Sequence, residues 1–227
     1  MKPQPHREIL DQGLEAMGLA LGREARGRLV TYCEELLRWN AKINLVAKAP
    51  LAEIWETHFL DSLTLLRALP EAGQPTLLDI GTGAGFPGLA VKAARPELPV
   101  ILVEPREKRV SFLKHVIRTL GLAGVTVLRG RLEAGSDLVA GNRIHAEWIT
   151  SRAFTDIAGF LRHCEAVSPQ GGKVICMKGP RAEEELAAWR AAQPQSPYRL
   201  IETIGLTLPF SGNLRRLLIF GKEEATP

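Results

Sequence analysis

The run Leu77-Leu78-Asp79-Ile80-Gly81-Thr82-Gly83-Ala84-Gly85-Phe86-Pro87-Gly88 constrains this chain more than any other segment. It reads as a short apolar strand with an acidic residue near its end, a glycine turn, and a helix opening at Pro87. That layout builds a nucleotide-sized site at the carboxyl edge of a parallel sheet. Glycines let the backbone approach a ligand closely, and a helix N-terminus offers amide donors.

The surrounding residues discriminate between ligands. Gly83-Ala84-Gly85-Phe86-Pro87-Gly88 fits the GxGxxG dinucleotide pattern. A pyrophosphate is nevertheless disfavoured. Asp79 would stand beside it with like charge, and Pro87 has no N–H to donate. S-adenosyl-L-methionine suits the turn better. It has no phosphate, its ammonium and sulfonium can face an acid, and its carboxylate can take the helix amides. A tight turn that binds nothing is the alternative.

Organisation along the chain supports the same reading. Residues 6–20, 23–44 and 51–69 carry apolar side chains at helical spacing, so section 1–72 is expected to be all helical. Section 73–227 alternates. Strands are expected at 76–80, 100–104, 125–129, 146–151 and 172–177, and helices at 87–95, 106–120, 155–167 and 181–192. Such βα steps imply an α/β fold with a mostly parallel, doubly wound sheet. Residues 198–208 and 214–220 read as a closing antiparallel hairpin. A parallel sheet ending that way is the build of class I methyltransferases, with a Rossmann-like sheet.

Composition narrows the partners. The 227 residues hold 29 Lys and Arg against 25 Asp and Glu, a net charge of +4. Residues 92–131 alone hold 9 basic against 3 acidic side chains, which suggests a polyanionic substrate or a solvated basic face. Cys33, Cys164 and Cys176 form no CxxC pair, which argues against a disulfide framework or a metal site and for the reducing cytoplasm. No apolar run approaches the ~20 residues of a membrane span, and the N-terminus lacks a signal-peptide core.

Several positions are candidates for chemistry. Glu104 ends the second strand, 23 residues beyond Gly81, where an acid accepts ribose hydroxyls. Leu132 and Glu133 follow the third strand, where they can pack on adenine and read its edge, or serve only as a helix start. Arg152 ends the fourth strand and can hold a cofactor carboxylate, an RNA phosphate or a nearby acid. Lys178 ends the fifth strand at the same edge. His58 and Asp61 lie three apart on a helix, as an acid–base unit or a structural pair. No residue emerges as a catalytic acid or base.

Asn40-Ala41-Lys42-Ile43-Asn44-Leu45, His58-Phe59-Leu60-Asp61-Ser62-Leu63, the Asp79–Gly88 turn, Ser151-Arg152-Ala153-Phe154 and Met177-Lys178-Gly179 together resemble the RsmG family, also called glucose-inhibited division protein B. The likeness spans nearly the whole chain. It implies an S-adenosylmethionine-dependent methyltransferase acting on guanine N7 at position 527 of 16S ribosomal RNA, within the small ribosomal subunit. It implies cofactor contacts at Gly81, Phe86, Leu132, Glu133 and Arg152, with Glu104 at the ribose; Asp79 and Gly83 join them from the turn itself. Relatives commonly carry Asp where Glu104 stands, so the arm here is longer. A monomer without metal, membrane or protein partner is expected. The rival readings are a methyltransferase for a small molecule or another RNA, a nicotinamide oxidoreductase, and an RNA-binding module without catalysis.

Overall fold

In the computed structural model, residues 5–152 and 156–223 are described. Seven strands form one sheet in the order β3-β2-β1-β6-β7-β9-β8. They are β1 (Leu77–Ile80), β2 (Val100–Glu104), β3 (Val125–Arg129), β6 (Trp148–Arg152), β7 (Lys173–Lys178), β8 (Tyr198–Thr207) and β9 (Leu214–Lys222). β1 pairs parallel with both β2 and β6, β3 parallel with β2, and β7 parallel with β6. β9 runs antiparallel between β7 and β8. The strand order reverses beside β1, so a crevice opens at its carboxyl end. The expected class I methyltransferase architecture is therefore borne out.

Alternation along the strands builds two cores. Leu77, Val100, Leu102 and Ile175 face one side, and Leu78, Val103, Val174 and Cys176 face the other. The second side is covered by α7 (Ile157–Cys164) and α8 (Ala182–Ala192). The first is covered by α5 (Gly88–Ala94), α6 (Glu107–Thr119) and the N-terminal helices. Those are α1 (Pro5–Ala16), α2 (Arg23–Asn40), α3 (Leu51–Ile54), a π-helical turn (Trp55–Leu60), α4 (Asp61–Leu63) and a 3-10 turn (Thr64–Arg67). Leu29, Tyr32 and Leu36 of α2 are fully buried in the same core as Leu89 and Phe112.

Several boundaries differ from the sequence expectation, each for a local reason. The helix expected over 23–44 stops at Asn40, whose side-chain oxygen accepts from the amides of Leu45 and Val46 (2.8 and 3.0 Å) and folds the chain back. The helix expected over 51–69 holds a π turn that helical spacing does not reveal. The helix expected over 155–167 is shorter. Asp156 caps it, accepting from Gly159 N at 2.7 Å, and it ends at Cys164. A small hairpin, β4 (Leu138–Val139) with β5 (Asn142–Arg143), is too short to show as an alternating pattern in the sequence.

Lys92 corrects the expectation of a basic face over 92–131. It is 1% exposed, and its ammonium donates to the carbonyls of Pro96 and Leu98, both at 2.6 Å. Lys92→Met keeps the volume but strands both acceptors. It is expected to lower stability by about 2–4 kcal/mol in urea unfolding. An unchanged midpoint would show that these bonds do not hold the α5–β2 connection.

Candidate cofactor site and its neighbours

The glycine turn is held from beneath by two buried carboxylates. Asp79, with no exposed surface, accepts from Thr82 Oγ1 at 2.6 Å and from Gly88 N at 2.8 Å through Oδ2. Its Oδ1 is buried and has no partner among the described residues. Burial raises the Asp79 pKa to about 6, against the pull of the Thr82 and Gly88 donors and of Arg152. Glu104, 2% exposed, accepts from Gly83 N through Oε2 and from Arg106 N through Oε1, both at 2.9 Å. Arg109 lies 3.9 Å from the same carboxylate.

Gly81, Gly83 and Gly85 all have positive φ, at 74°, 63° and 98°. Gly88 is required for a different reason. A Cβ there would stand 2.8 Å from both Asp79 Cβ and Leu102 Cδ2, so only glycine lets α5 sit this close to β1 and β2.

The turn corrects one expectation. The first amides of α5 are not available to a ligand carboxylate. Gly88 N is bound by Asp79, and Leu89 N and Ala90 N both reach Gly85 O. The same bonding leaves no cradle for a pyrophosphate, which argues further against a dinucleotide. Asp79 likewise faces the turn backbone rather than an open pocket.

A cleft of about 260 Å³ opens above the turn. Ile80, Gly81, Val103, Pro105, Leu132 and Glu133 line it. A Cβ on Gly81 would meet nothing within 4 Å, so its open side belongs to this space. Leu132 is buried, and Glu133 is exposed at the rim. Apolar side chains with the Glu133 carboxylate and the exposed Arg131 guanidinium beside them fit a nucleoside, which needs faces to stack on and an acceptor for polar edges. Glu104 is not among the residues that line the cleft, and each of its oxygens already accepts one backbone bond, which leaves a second lone pair on each. His163 also lines the cleft, and nothing in the sequence singled it out.

Arg152 leaves β6 one strand from the turn. Its Nη1 donates to Thr57 O at 2.5 Å, and its Nη2 lies 2.9 Å from His58 Nδ1. Asp61 Oδ2 is 3.7 Å away, and the guanidinium sits 5.2 Å over the Phe86 ring. His58 and Asp61 therefore do not form the pair expected from their spacing; each meets Arg152 instead. Asp61 also accepts from Arg215 Nε of β9 at 2.9 Å. Glu56 Oε1 accepts from the amides of Phe210 and Ser211 (2.5 and 2.9 Å), which ties the C-terminal hairpin to the π turn. Glu56 and Arg215 were missed in the sequence because their partners are 154 residues away.

Phe86 is 3% exposed. Its ring stacks on Tyr32 (5.5 Å, 5°) and on His58 (5.1 Å, 25°), so it anchors the turn to the helices. Tyr32 adds a 2.5 Å bond to Ala84 O. Lys178 pairs with Glu185 at 2.8 Å. Ala153 and Phe154 of the fourth-strand motif lie outside the described residues.

The basic segment divides by role. Arg95 binds Glu97 and Pro70 O, and Arg129 pairs with Glu107 at 3.0 Å. Arg106, Lys108 and Arg109 instead line a groove of about 680 Å³ against Lys42, Ile43 and Asn44 of the loop after α2. Lys42, Arg106 and Lys108 are exposed, and the groove adjoins the turn through Arg109.

A mostly parallel seven-stranded sheet with an antiparallel edge strand pairing and a nucleoside-sized cleft beyond β1 defines a Rossmann-like methyltransferase fold. Solved structures agree. A methyltransferase from Pyrococcus furiosus superposes with a TM-score of 0.58, covering 88% of this chain and 98% of that one at 17% identity. TrmN from Thermus thermophilus gives 0.56 over 72% of this chain and 48% of that one at 21% identity. Sequence comparison then fixes the family: residues 26–200 match GidB, the rRNA small subunit methyltransferase G family, and the chain belongs to it. Ribosomal RNA small subunit methyltransferase G from Desulfotalea psychrophila is 48% identical over 92% of this chain and 95% of its own length. The Myxococcus xanthus protein of the same name is 43% identical over 94% and 96%.

Burial, and then the Arg152 charge, lower the His58 pKa from 6.5 to about 4. The unfolded chain therefore binds the extra proton between these values. The associated stability is present above pH 6.5 and is lost as pH falls toward 4. Relative to His58→Asn, which cannot titrate, the native chain is expected to lose on the order of 2 kcal/mol across that window, allowing for partial exposure. Asp79 shifts with the opposite sign but is common to both proteins. Parallel stability curves in urea unfolding at pH 7 and pH 4.5 would contradict a half-buried, neutral His58.

Proposed function

We propose that this chain transfers the methyl group of S-adenosyl-L-methionine to N7 of guanine 527 in 16S ribosomal RNA, acting in the cytoplasm as a monomer on the small ribosomal subunit. The observation that carries this reading is the cleft at Gly81, Leu132 and Glu133, standing in a chain that keeps the family's motifs from Asn40 to Gly179. The cofactor, when bound, supplies an electrophilic methyl carbon on a sulfonium.

Guanine N7 carries a lone pair and no proton, so no side chain has to act as a base. The chain's task is positioning. Leu132 and Ile80 pack on the adenine faces, Glu133 reads its edge, and Glu104 takes the ribose hydroxyls. Arg152 stands beyond the turn for the cofactor carboxylate or an RNA phosphate. His58, neutral at pH 7, is an acceptor toward Arg152 rather than a proton carrier. Lys42, Arg106 and Lys108 offer the groove to phosphates of the flanking RNA. Transfer to a small molecule or to another RNA is the second reading, and the same assay separates them.

Small subunits from a strain lacking the modification are incubated with labelled S-adenosylmethionine, and the RNA is cleaved at 7-methylguanine. The expected product is a single cleavage at position 527. Label at another nucleotide, or on no RNA, would overturn the substrate. Replacing Lys42, Arg106 and Lys108 together by Glu is expected to weaken subunit binding and flatten its salt dependence by roughly one slope unit per lost phosphate contact. Binding of S-adenosylhomocysteine should be unchanged. A slope that does not move would remove the groove from the RNA footprint.

A further inference from the structure

Arg152, a proposed cofactor contact, is hydrogen-bonded by the N-terminal helical section. Its guanidinium rests on the π turn through Thr57 O and His58 Nδ1, and on the Phe86 ring of the glycine turn. His58 stacks on that same ring at 5.1 Å. Phe86, His58 and Arg152 thus form a single contact set drawn from the glycine turn, the N-terminal helices and β6. Asp61 beneath it is shared with Arg215 of the hairpin.

We propose that His58 is a positioning residue for methyl transfer: its Nδ1 lone pair fixes the Arg152 guanidinium in the orientation that receives the cofactor. This rests on the methyltransferase reading. Two observations carry it. First, an arginine has several rotatable bonds, and leaving one free beside a site costs entropy when a ligand must order it. Here Thr57 O and His58 Nδ1 engage two different nitrogens, Nη1 and Nη2, which sets the plane of the group as well as its place. Second, Asp61 alone could not set that plane, because its Oδ2 lies 3.7 Å away, beyond hydrogen-bond distance, and on the Nη1 side only, while its Oδ1 is bonded by Arg215. The family motif around His58 then has a role that needs no proton transfer. The π turn that carries it, a geometry frequent at functional sites, is the segment that brings Thr57 O and His58 Nδ1 to one guanidinium.

The test is a double-mutant cycle read by calorimetric binding of S-adenosylhomocysteine, without RNA and without turnover. His58→Phe keeps a ring against Phe86 but has no acceptor. His58→Asn keeps an acceptor near the Nδ1 position. The expected result is affinity about 10-fold weaker for His58→Phe and near native for His58→Asn, the loss being that of one hydrogen bond to a charged group. In an Arg152→Ala background, His58→Phe should add less than about 2-fold. Multiplying effects, or an Asn variant as weak as the Phe variant, would overturn the inference. If His58→Phe does not fold, His58→Gln takes its place, since its amide oxygen falls nearer the Nε2 position. Gln should then bind more weakly than Asn, and equal affinities would overturn the inference. A native protein that binds no S-adenosylhomocysteine would instead refute the methyltransferase reading itself.

Discussion

The Asp79 carboxylate is the contact on which the rest of the site depends. It sits at a core-facing position of β1, where the alternation that buries Leu77 calls for an apolar side chain, and spends one oxygen on the Thr82 hydroxyl and the Gly88 amide. That joins the end of the central strand to the start of α5, nine positions further along the chain. A buried carboxylate is tolerated because donors converge on it and because the Arg152 charge is near. Glu104 repeats the device from the neighbouring strand, holding Gly83 N. The turn is thereby fixed before any ligand arrives, and its open side is the Gly81 face of the cleft.

The N-terminal helices belong to this construction. Tyr32 reaches the loop carbonyl of Ala84 and stacks flat on Phe86, and its hydroxyl lies where a Cβ on Gly85 would fall, 2.2 Å away. Glu56 grips the hairpin loop, while Asp61 binds one arginine from β6 and one from β9. The first and last parts of the sequence therefore meet at the carboxyl edge of the sheet, around the place where β1 and β6 diverge. A change in the π turn is felt at Arg152, and a change in the hairpin is felt through Asp61.

The parts of this arrangement legible in the sequence were those with a local signature. Gly81, Gly83 and Gly85 announce positive φ, the acid ending β2 falls at a fixed offset from the turn, and the βα alternation with a closing hairpin gives the fold class. The parts that stayed hidden are long-range or lie in the geometry of a helix. Spacing put His58 and Asp61 on one face but did not show that a third residue, 94 positions from His58, separates their roles. Counting charges over 92–131 gave one basic segment, whereas burial assigns Lys92 to loop carbonyls and leaves Arg106 and Lys108 to the groove. The amides opening α5 looked free in the sequence because their acceptors, Asp79 and Gly85 O, become visible only when the loop is folded.

A crystal structure of this chain with S-adenosylhomocysteine bound tests the account at its centre. The adenine is expected between Ile80 and Leu132, the ribose hydroxyls on Glu104 and the amino-acid end toward Arg152, with the Asp79–Gly88 bond intact. Ligand density in the groove of Lys42 and Arg106, or a turn that must break the Asp79 bond to admit the ligand, would contradict it.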